Sequence, residues 1–583
     1  MSASDLWFGT SGPHDADIVI VGESWGAEEA AAKQPFVGTS GNELDRMLAV
    51  AGIDRRQCLV TNVVPQRPQS NEMWRFFHPK TTPSGHPIHG LDPHGNVRAG
   101  LTALYAQLEA FPRKLIIAPG NYALWALAPS CISTSVLRES NGRKVDKELA
   151  PLVPSGIGSW RGSMWFTETL PTRIPLLPIY HPAAIMRQWA WRDVTIHDLK
   201  RHKQALTNDW RPNPEPIFWA PPTFDQCVSR LRLWLARMDA GEELWLAEDI
   251  ETARELITCL GIGDGTNFAM AIPFVRKRDD NSFDSWWTPD QEAAIIHLLR
   301  RVNRHPNVRI VGQNFVYDTQ YIQRDHGVTP RLSFDTSLAQ NVLFPGTPKA
   351  LDYIASLYCR HYWYWKEDHK EWNLSGTIED LLLYNCMDIV RTWETAAAQR
   401  SLLTHLKLEP QMAIKMRVND LCLRMMNRGV RYDTARQAQL TSESAHAAAG
   451  IAEELEYIIP QALVKPGHDV KWHRSPTQTK EVFEMLGFDS VRNRKTGRPT
   501  SGKEARNVLK QKYPAWTPLF ERLAVAESLD NTLGVLRSKL DLDQRLRCSY
   551  NPAGAETHRL SSSKNAFGRG TNLQNLTTGN EDA

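Results

Sequence analysis

A chain of 583 residues with 42% apolar residues is long enough for three or four domains, each with a core of its own. A net charge of +3 makes no case by itself for a nucleic-acid partner, and the sequence holds no run of 18 apolar residues that could span a membrane. The eight cysteines (Cys58, Cys131, Cys227, Cys259, Cys359, Cys386, Cys422 and Cys548) share no CxxC spacing. That argues against a local zinc or iron–sulfur site and for a reducing compartment. With no signal pattern in Met1–Asp5, a cytoplasmic protein is expected.

Residues 1–206 begin with Ile18-Val19-Ile20-Val21, which reads as a buried parallel strand. Gly22-Glu23-Ser24-Trp25-Gly26 follows and runs into a helix at Ala27–Ala32, an arrangement that offers backbone N–H groups to anions or polar ring edges. Pro35-Phe36-Val37-Gly38 precedes an amphipathic helix opened by Ser40-Gly41 and carrying Leu44, Met47 and Leu48. Further strands are expected at Leu59–Val64, Leu115–Ala118 and Leu176–Tyr180, the last leading into His181-Pro182. Alternating strands and helices argue for a three-layer α/β/α sandwich. The ordered pieces Gly22–Gly26, Pro35–Gly41, Thr61–Val64 and Tyr180–Pro182 resemble the uracil-DNA glycosylase superfamily, most closely families 4 and 5. The resemblance implies that Phe36 stacks on a flipped-out base and that Asn62 reads the uracil edge. It also implies that Glu23 sits by the water or sugar, that His181 faces the departing base, and that Gly22 lines the substrate. Cleaving an N-glycosidic bond requires such an aromatic platform and edge-reading groups around an extruded base. Ser24-Trp25 stand where Ala-Pro is usual. No cysteine precedes Ile18, and Gln66 follows Pro65 near a position where the family 4 cluster takes one, so no iron–sulfur cluster is expected. Residues 207–222 hold Pro212, Pro214, Pro216, Pro221 and Pro222 and are expected to form a stiff linker that blocks strand ladders.

Residues 223–405 open with an amphipathic helix over Phe224–Met238 and the apolar run Leu244-Trp245-Leu246. Asp249 and Glu251 come next on that strand and, two apart, share a face. Two adjacent carboxylates repel unless water separates them or a cation sits between them, and oxygen-only ligands suit Mg²⁺ or Mn²⁺. Strands at Leu256–Ile262 and Asn267–Ile272 flank Asp264-Gly265, a hairpin turn signal. Thr288-Pro289 caps a helix. The strand Val308–Val311 leads to Asn314, Tyr317 and Asp318; Thr377 and Asp380 resemble a capping box that opens a helix with Tyr384 and Asp388 on one face. Asp249-x-Glu251, Asn314-x-x-Tyr317-Asp318 and Tyr384-x-x-x-Asp388 resemble the three motifs of DEDDy 3′–5′ exonucleases, the proofreading domains of DNA polymerases, and so imply a ribonuclease-H-like sheet. Two Mg²⁺ (or Mn²⁺) held by Asp249, Glu251, Asp318 and Asp388 would then serve phosphodiester hydrolysis. Tyr384 would orient the attacking water, while Asn314 and Tyr317 would position the strand terminus.

Residues 406–583 read as mostly helical, with helices expected at Met412–Asn427, Thr434–Ile459 and Phe520–Leu540. Between Lys465 and Lys512 there are 12 Lys/Arg against 5 Asp/Glu, a composition that suits phosphate contacts. Thr557-His558-Arg559-Leu560-Ser561-Ser562 and Thr571-Asn572-Leu573-Gln574-Asn575 resemble two signatures of family A DNA polymerases, with His558 in place of Gly and Thr571 in place of Pro. The resemblance implies a thumb-type segment and the start of a palm, with Arg559, Gln574 and Asn575 contacting primer–template. The palm aspartates and finger helix of that family would follow Ala583, so nucleotide addition by this chain alone is not expected. The remainder would belong to a longer chain or to a separate polypeptide. The sequence therefore predicts a multidomain α/β protein of DNA replication and repair that acts on single-stranded DNA and primer–template. Its leading activity is metal-dependent 3′–5′ exonuclease; the alternatives are uracil excision as the main activity and a non-catalytic DNA-binding scaffold.

Overall fold

The computed structural model describes residues 7–140, 143–203, 216–278, 280, 282–366, 377–464, 471–493 and 497–575. The chain divides into two compact units, Met1–Met416 and Arg417–Ala583.

Within the first unit, β1 (Ile18–Gly22), β2 (Cys58–Asn62), β3 (Leu115–Pro119), β4 (Trp165–Phe166) and β5 (Pro175–Ile179) form a sheet in the order β2-β1-β3-β5-β4. Every residue of β1, β2 and β3 is buried, as parallel strands covered on both faces must be; their unbroken apolar runs follow from that. Val19, Val21, Leu59 and Ile116 belong to one apolar layer, with Leu101 and Leu104 of the Gly95–Glu109 helix. Ile18, Ile20, Val60 and Ile117 belong to the other, with Leu44, Met47 and Leu48 of the Thr39–Ala51 helix. This is the three-layer sandwich. The strand expected to reach Val64 ends at Asn62, because Val63 and Val64 turn their N–H groups to the carbonyls of Gly22 and Glu23.

A second sheet in the same unit joins β6 (Ile217–Trp219), β7 (Leu244–Ala253), β8 (Leu256–Gly263), β9 (Phe268–Pro273), β10 (Val308–Gly312) and β11 (Leu332–Asp335) in the order β6-β9-β8-β7-β10-β11. The first three strands after the Phe224–Asp239 helix are antiparallel, and β10 runs parallel to β7. Thr288 Oγ1 accepts the Gln291 N–H and starts the Pro289–Arg304 helix. A register shift in the β7–β8 pairing falls between Glu251 and Thr252, a bulge beside the two carboxylates.

The expected linker needs correcting at its C-terminal end. Residues 207–215 lie outside the described residues, but Ile217–Trp219 is a strand between Pro216 and Pro221. It pairs with β9 at the sheet edge, the one place where flanking prolines leave no ladder bond unmade. Nor does the linker separate two compact bodies. Arg161, 1% exposed, pairs with Asp198 at 2.8 Å and also donates to the hydroxyl of Ser356 in the second sheet's domain. Among the described residues, no helix is long and apolar enough to cross a membrane.

In the second unit, the Thr434–Ile458 helix packs against the Thr517–Leu536 helix over Leu455, Trp472, Phe483, Phe520 and Leu523. Of the basic stretch, residues 465–470 and 494–496 lie outside the described residues. Several of the others are engaged internally: Arg474 with Asp530 at 3.0 Å, Lys510 with Glu521 at 3.5 Å, and Arg506 with Glu527. Three of the basic side chains are thus matched by acids of the 517–536 helix.

Candidate active sites

β7 delivers Asp249 and Glu251 to one face, and the Ile378–His405 helix, opened by Thr377 with Asp380, delivers Asp388. One carboxylate oxygen from each of the three lies within 4.8 Å of the others. Among the described residues this is the one group of three or more metal-ligating side chains. Asp318, 3% exposed, stands next to it rather than in it: its Oδ1 accepts the Ile250 N–H at 3.0 Å. Tyr384 and Asp388, one helical turn apart, are bridged by the Lys366 ammonium, at 2.7 Å from the phenol oxygen and 3.3 Å from Asp388 Oδ2. Trp365 Nε1 donates to Asp388 Oδ1 at 2.5 Å, and Asn385 Nδ2 donates to Asp249 Oδ2 at 2.7 Å. Tyr317 shares a hydrogen bond of 2.9 Å with Thr252 at the end of the carboxylate strand, whereas Asn314 is an exposed left-handed turn residue at φ 52°. Asp335, not expected from the sequence, holds that turn: it accepts the Phe315 N–H at 2.8 Å while capping the Thr336–Leu343 helix.

The electrostatics are those of crowded acids. Burial, then the charges of Asp318, Glu251 and Asp388, push Asp249 well above the usual carboxylate range. Burial and Asp388 push Glu251 up to about 8, and burial raises Asp318 to about 7. Burial alone would lower the Lys366 ammonium, but Asp388 and Asp249 outweigh it and hold it above its ordinary value. Buried, mutually repelling oxygen ligands fit a hard divalent cation. A measurable consequence follows. Glu251 titrates from 4.5 in an unfolded chain to about 8 in the fold. The stability it contributes is full below the lower value and lost as pH rises through the upper one. In EDTA the melting temperature is expected to fall as pH rises from about 5 to about 8.5. Added Mg²⁺ or Mn²⁺ should restore it most at the alkaline end, where the ligands are deprotonated. Glu251→Gln should flatten that part of the dependence; an unchanged profile in the variant would refute this account.

The first sheet builds a different site. Gly22 pairs with Asn62 in the β1–β2 register, and a Cβ on Gly22 would meet Asn62 Oδ1 at 2.2 Å and the Phe36 ring at 2.4 Å. Only a residue without a side chain lets those two groups converge. Phe36 sits at φ 53°, held by its N–H to Glu29 Oε1 at 2.6 Å and by Arg55 Nη1 on its carbonyl at 3.2 Å. Its ring lies 6.3 Å from that of His181. His181 Nδ1 accepts the Ala183 N–H at 3.2 Å, which leaves the proton of a neutral ring on Nε2. Burial keeps that ring below its ordinary pKa, so it is neutral at pH 7. Glu23 accepts the Tyr122 N–H at 3.3 Å, and a Cβ on Gly120 would meet both Glu23 Oε1 and His181. Asn62, 9% exposed, has no hydrogen-bond partner for Nδ2 among the described residues. Gly22, Glu23, Phe36, Asn62 and His181 thus line one end of the sheet.

A model of the uracil DNA glycosylase superfamily matches residues 8–211, and a 3′–5′ exonuclease model matches residues 251–403. The type-4 uracil-DNA glycosylase of Pyrobaculum aerophilum is 30% identical over 182 residues, which cover 31% of this chain and 74% of that one. The chain belongs to the uracil-DNA glycosylase superfamily. The type-4 enzyme of Saccharolobus solfataricus is 27% identical over 198 residues, covering 34% and 74% of the two chains. A solved structure, the POL domain of Pol1 from M. smegmatis in complex with DNA primer-template and dNTP, has a TM-score of 0.44 and 22% identity. That likeness covers 60% of this chain and 55% of the other. The glycosylase domain is therefore joined to a 3′–5′ exonuclease domain, and the protein is an enzyme acting on DNA. All eight cysteines are buried free thiols.

In the second unit Arg559 is exposed, and Gln574 Nε2 donates to the Leu560 carbonyl at 3.0 Å. The side chain of Asn575 lies outside the described residues. His558 takes φ 60°, the left-handed region that favours glycine.

Proposed function

We propose that this protein shortens DNA from its 3′ end at Asp249, Glu251 and Asp388 and excises uracil at Phe36, Asn62 and His181. The convergence of three carboxylates from a strand and a distant helix supports the first half. Asp249, Glu251 and Asp388, with Asp318 alongside, would hold Mg²⁺ or Mn²⁺. Bound there, the cations would supply charge neutralisation at the scissile phosphodiester and a readily deprotonated water. Asn385 fixes Asp249, while Trp365 and Lys366 fix Asp388. The Tyr384 hydroxyl, held protonated by burial and by Asp388, is the group that orients water. Asn314 and Tyr317 stand at the rim, where a strand terminus would be positioned.

For uracil excision, the Phe36 ring supplies the stacking platform and the Asn62 amide reads the base edge. The neutral His181 Nε2–H stabilises charge developing on the departing base. No cation enters that chemistry. The assay that tests both halves uses 5′-labelled single strands with and without uracil, in Mg²⁺ and in EDTA. Shortening is expected only in Mg²⁺ and abasic-site formation in both. Shortening in EDTA would refute the first half, and no abasic sites the second. Residues 1–206, 223–405 and 406–583 are read as the glycosylase, exonuclease and polymerase-type segments of a cytoplasmic protein. Arg559, Gln574 and Asn575 would contact primer–template. Iron analysis of purified protein is expected to find no stoichiometric iron, because the cysteines are dispersed; four iron atoms per chain would overturn that expectation.

A further inference from the structure

Residues 359–366 follow the Leu351–Tyr358 helix without forming helix or strand. Such a segment has no ladder of its own, so its backbone groups must find partners elsewhere. Several find them in the glycosylase domain. Met164 N–H donates to the Tyr362 carbonyl at 2.8 Å, and Tyr364 N–H donates to Ser163 Oγ at 3.1 Å. Arg201 Nη1 donates to the Cys359 carbonyl at 3.2 Å, and the Trp160 and Tyr364 rings meet edge-on at 5.4 Å. The next two residues, Trp365 and Lys366, are the ones that grip Asp388 and Tyr384. We propose that the glycosylase domain is a structural part of the exonuclease site, holding residues 359–366 as a strap that sets Asp388 and Tyr384 through Trp365 and Lys366.

This rests on reading Asp249, Glu251, Asp388 and Tyr384 as the exonuclease centre. Trp365 and Lys366 are positioning residues in it. The Trp365 indole and the Lys366 ammonium each donate to a different oxygen of Asp388, which fixes the carboxylate at both ends. Misplacing a catalytic group by 1 Å costs about 100-fold in rate. The strap therefore makes exonuclease rate answer to contacts made by the other domain.

The experiment uses the full chain with Ser163→Ala, which removes the acceptor for Tyr364 N–H, and Trp365→Phe, which removes the indole donor. Arg161 is avoided, because breaking its buried pair with Asp198 leaves an unpaired buried charge and would destabilise the fold. Each variant is assayed for kcat and KM on a uracil-free single strand in Mg²⁺, for Mn²⁺ binding by electron paramagnetic resonance, and for uracil excision in EDTA. Trp365→Phe is expected to lose about 10-fold or more in kcat, as loss of an outer partner of a metal ligand does, and Ser163→Ala, which acts on the strap that carries Trp365, is expected to lose kcat in the same direction. KM should stay within about twofold, Mn²⁺ binding should weaken and uracil excision should be unchanged. A contact that merely joins two domains would lower the melting temperature and leave kcat alone. Wild-type kcat and Mn²⁺ binding in both variants overturn the strap while leaving the exonuclease reading standing. If wild-type protein itself does not shorten the strand, that reading falls and takes the strap with it. Should Ser163→Ala also lose uracil excision, Trp365→Phe, which leaves the glycosylase domain intact, decides.

Discussion

Asp388→Ala is expected to abolish 3′-end shortening and to leave uracil excision at its wild-type rate. Asp388 is the one carboxylate of the trio that does not come from β7. Removing it leaves Asp249 and Glu251 without their third partner, and leaves Lys366 with the Tyr384 hydroxyl but without the carboxylate it pairs with directly. Loss of an outer partner of a metal ligand already costs about 10–100-fold, so loss of a carboxylate that would hold the cation should cost at least about 100-fold in kcat. Asp249→Ala should do the same, and the double variant should be little worse than either alone, because residues that act as one unit are not additive. The measurement is the rate at which a 5′-labelled strand shortens in Mg²⁺, with abasic-site formation in EDTA as the folding control. Shortening at the wild-type rate in Asp388→Ala would remove the carboxylate cluster from the chemistry altogether. Loss of both activities would point instead to a destabilised first unit.

The carboxylates could be found in the sequence because each carries a local signature. Asp249 and Glu251 follow an apolar strand at a spacing of two, and Tyr384 and Asp388 lie one turn apart behind a capping box that forms as expected. The Asp264-Gly265 turn and the Thr288 cap were legible for the same reason: their chemistry is written within a few residues. Trp365, Lys366 and Asn385 had no such signal. They matter through bonds to side chains 18 to 136 residues away, with no periodicity to betray them. The packing of the two domains was hidden by the same distance, since Ser163 and Tyr364 are 201 residues apart. The Pro-dense stretch said nothing of the three-residue edge strand it contains or of how closely the segments on either side of it would pack.

Asn62→Ala should separate function from stability in the other site. The Asn62 side chain is buried, and its Nδ2 has no hydrogen-bond partner among the described residues. A buried donor left unsatisfied costs a fold about 1–3 kcal/mol. The register that pairs Asn62 with Gly22, and the absence of a Cβ there, keep the amide in that position beside Phe36. On the proposed reading, a carbonyl on the edge of uracil is the acceptor for that donor. Alanine removes the cost along with the donor, so the melting temperature of the variant should not fall. Uracil excision should drop by about 100- to 1,000-fold, the cost of removing one preorganised donor from a transition state. Exonuclease kcat should not change. Free uracil at saturating concentration should raise the melting temperature of wild type and not of the variant, since only wild type offers the donor it would bind. A variant that melts markedly lower and still excises uracil would make Asn62 an ordinary core residue, and the base-reading role would have to pass to another group around Phe36.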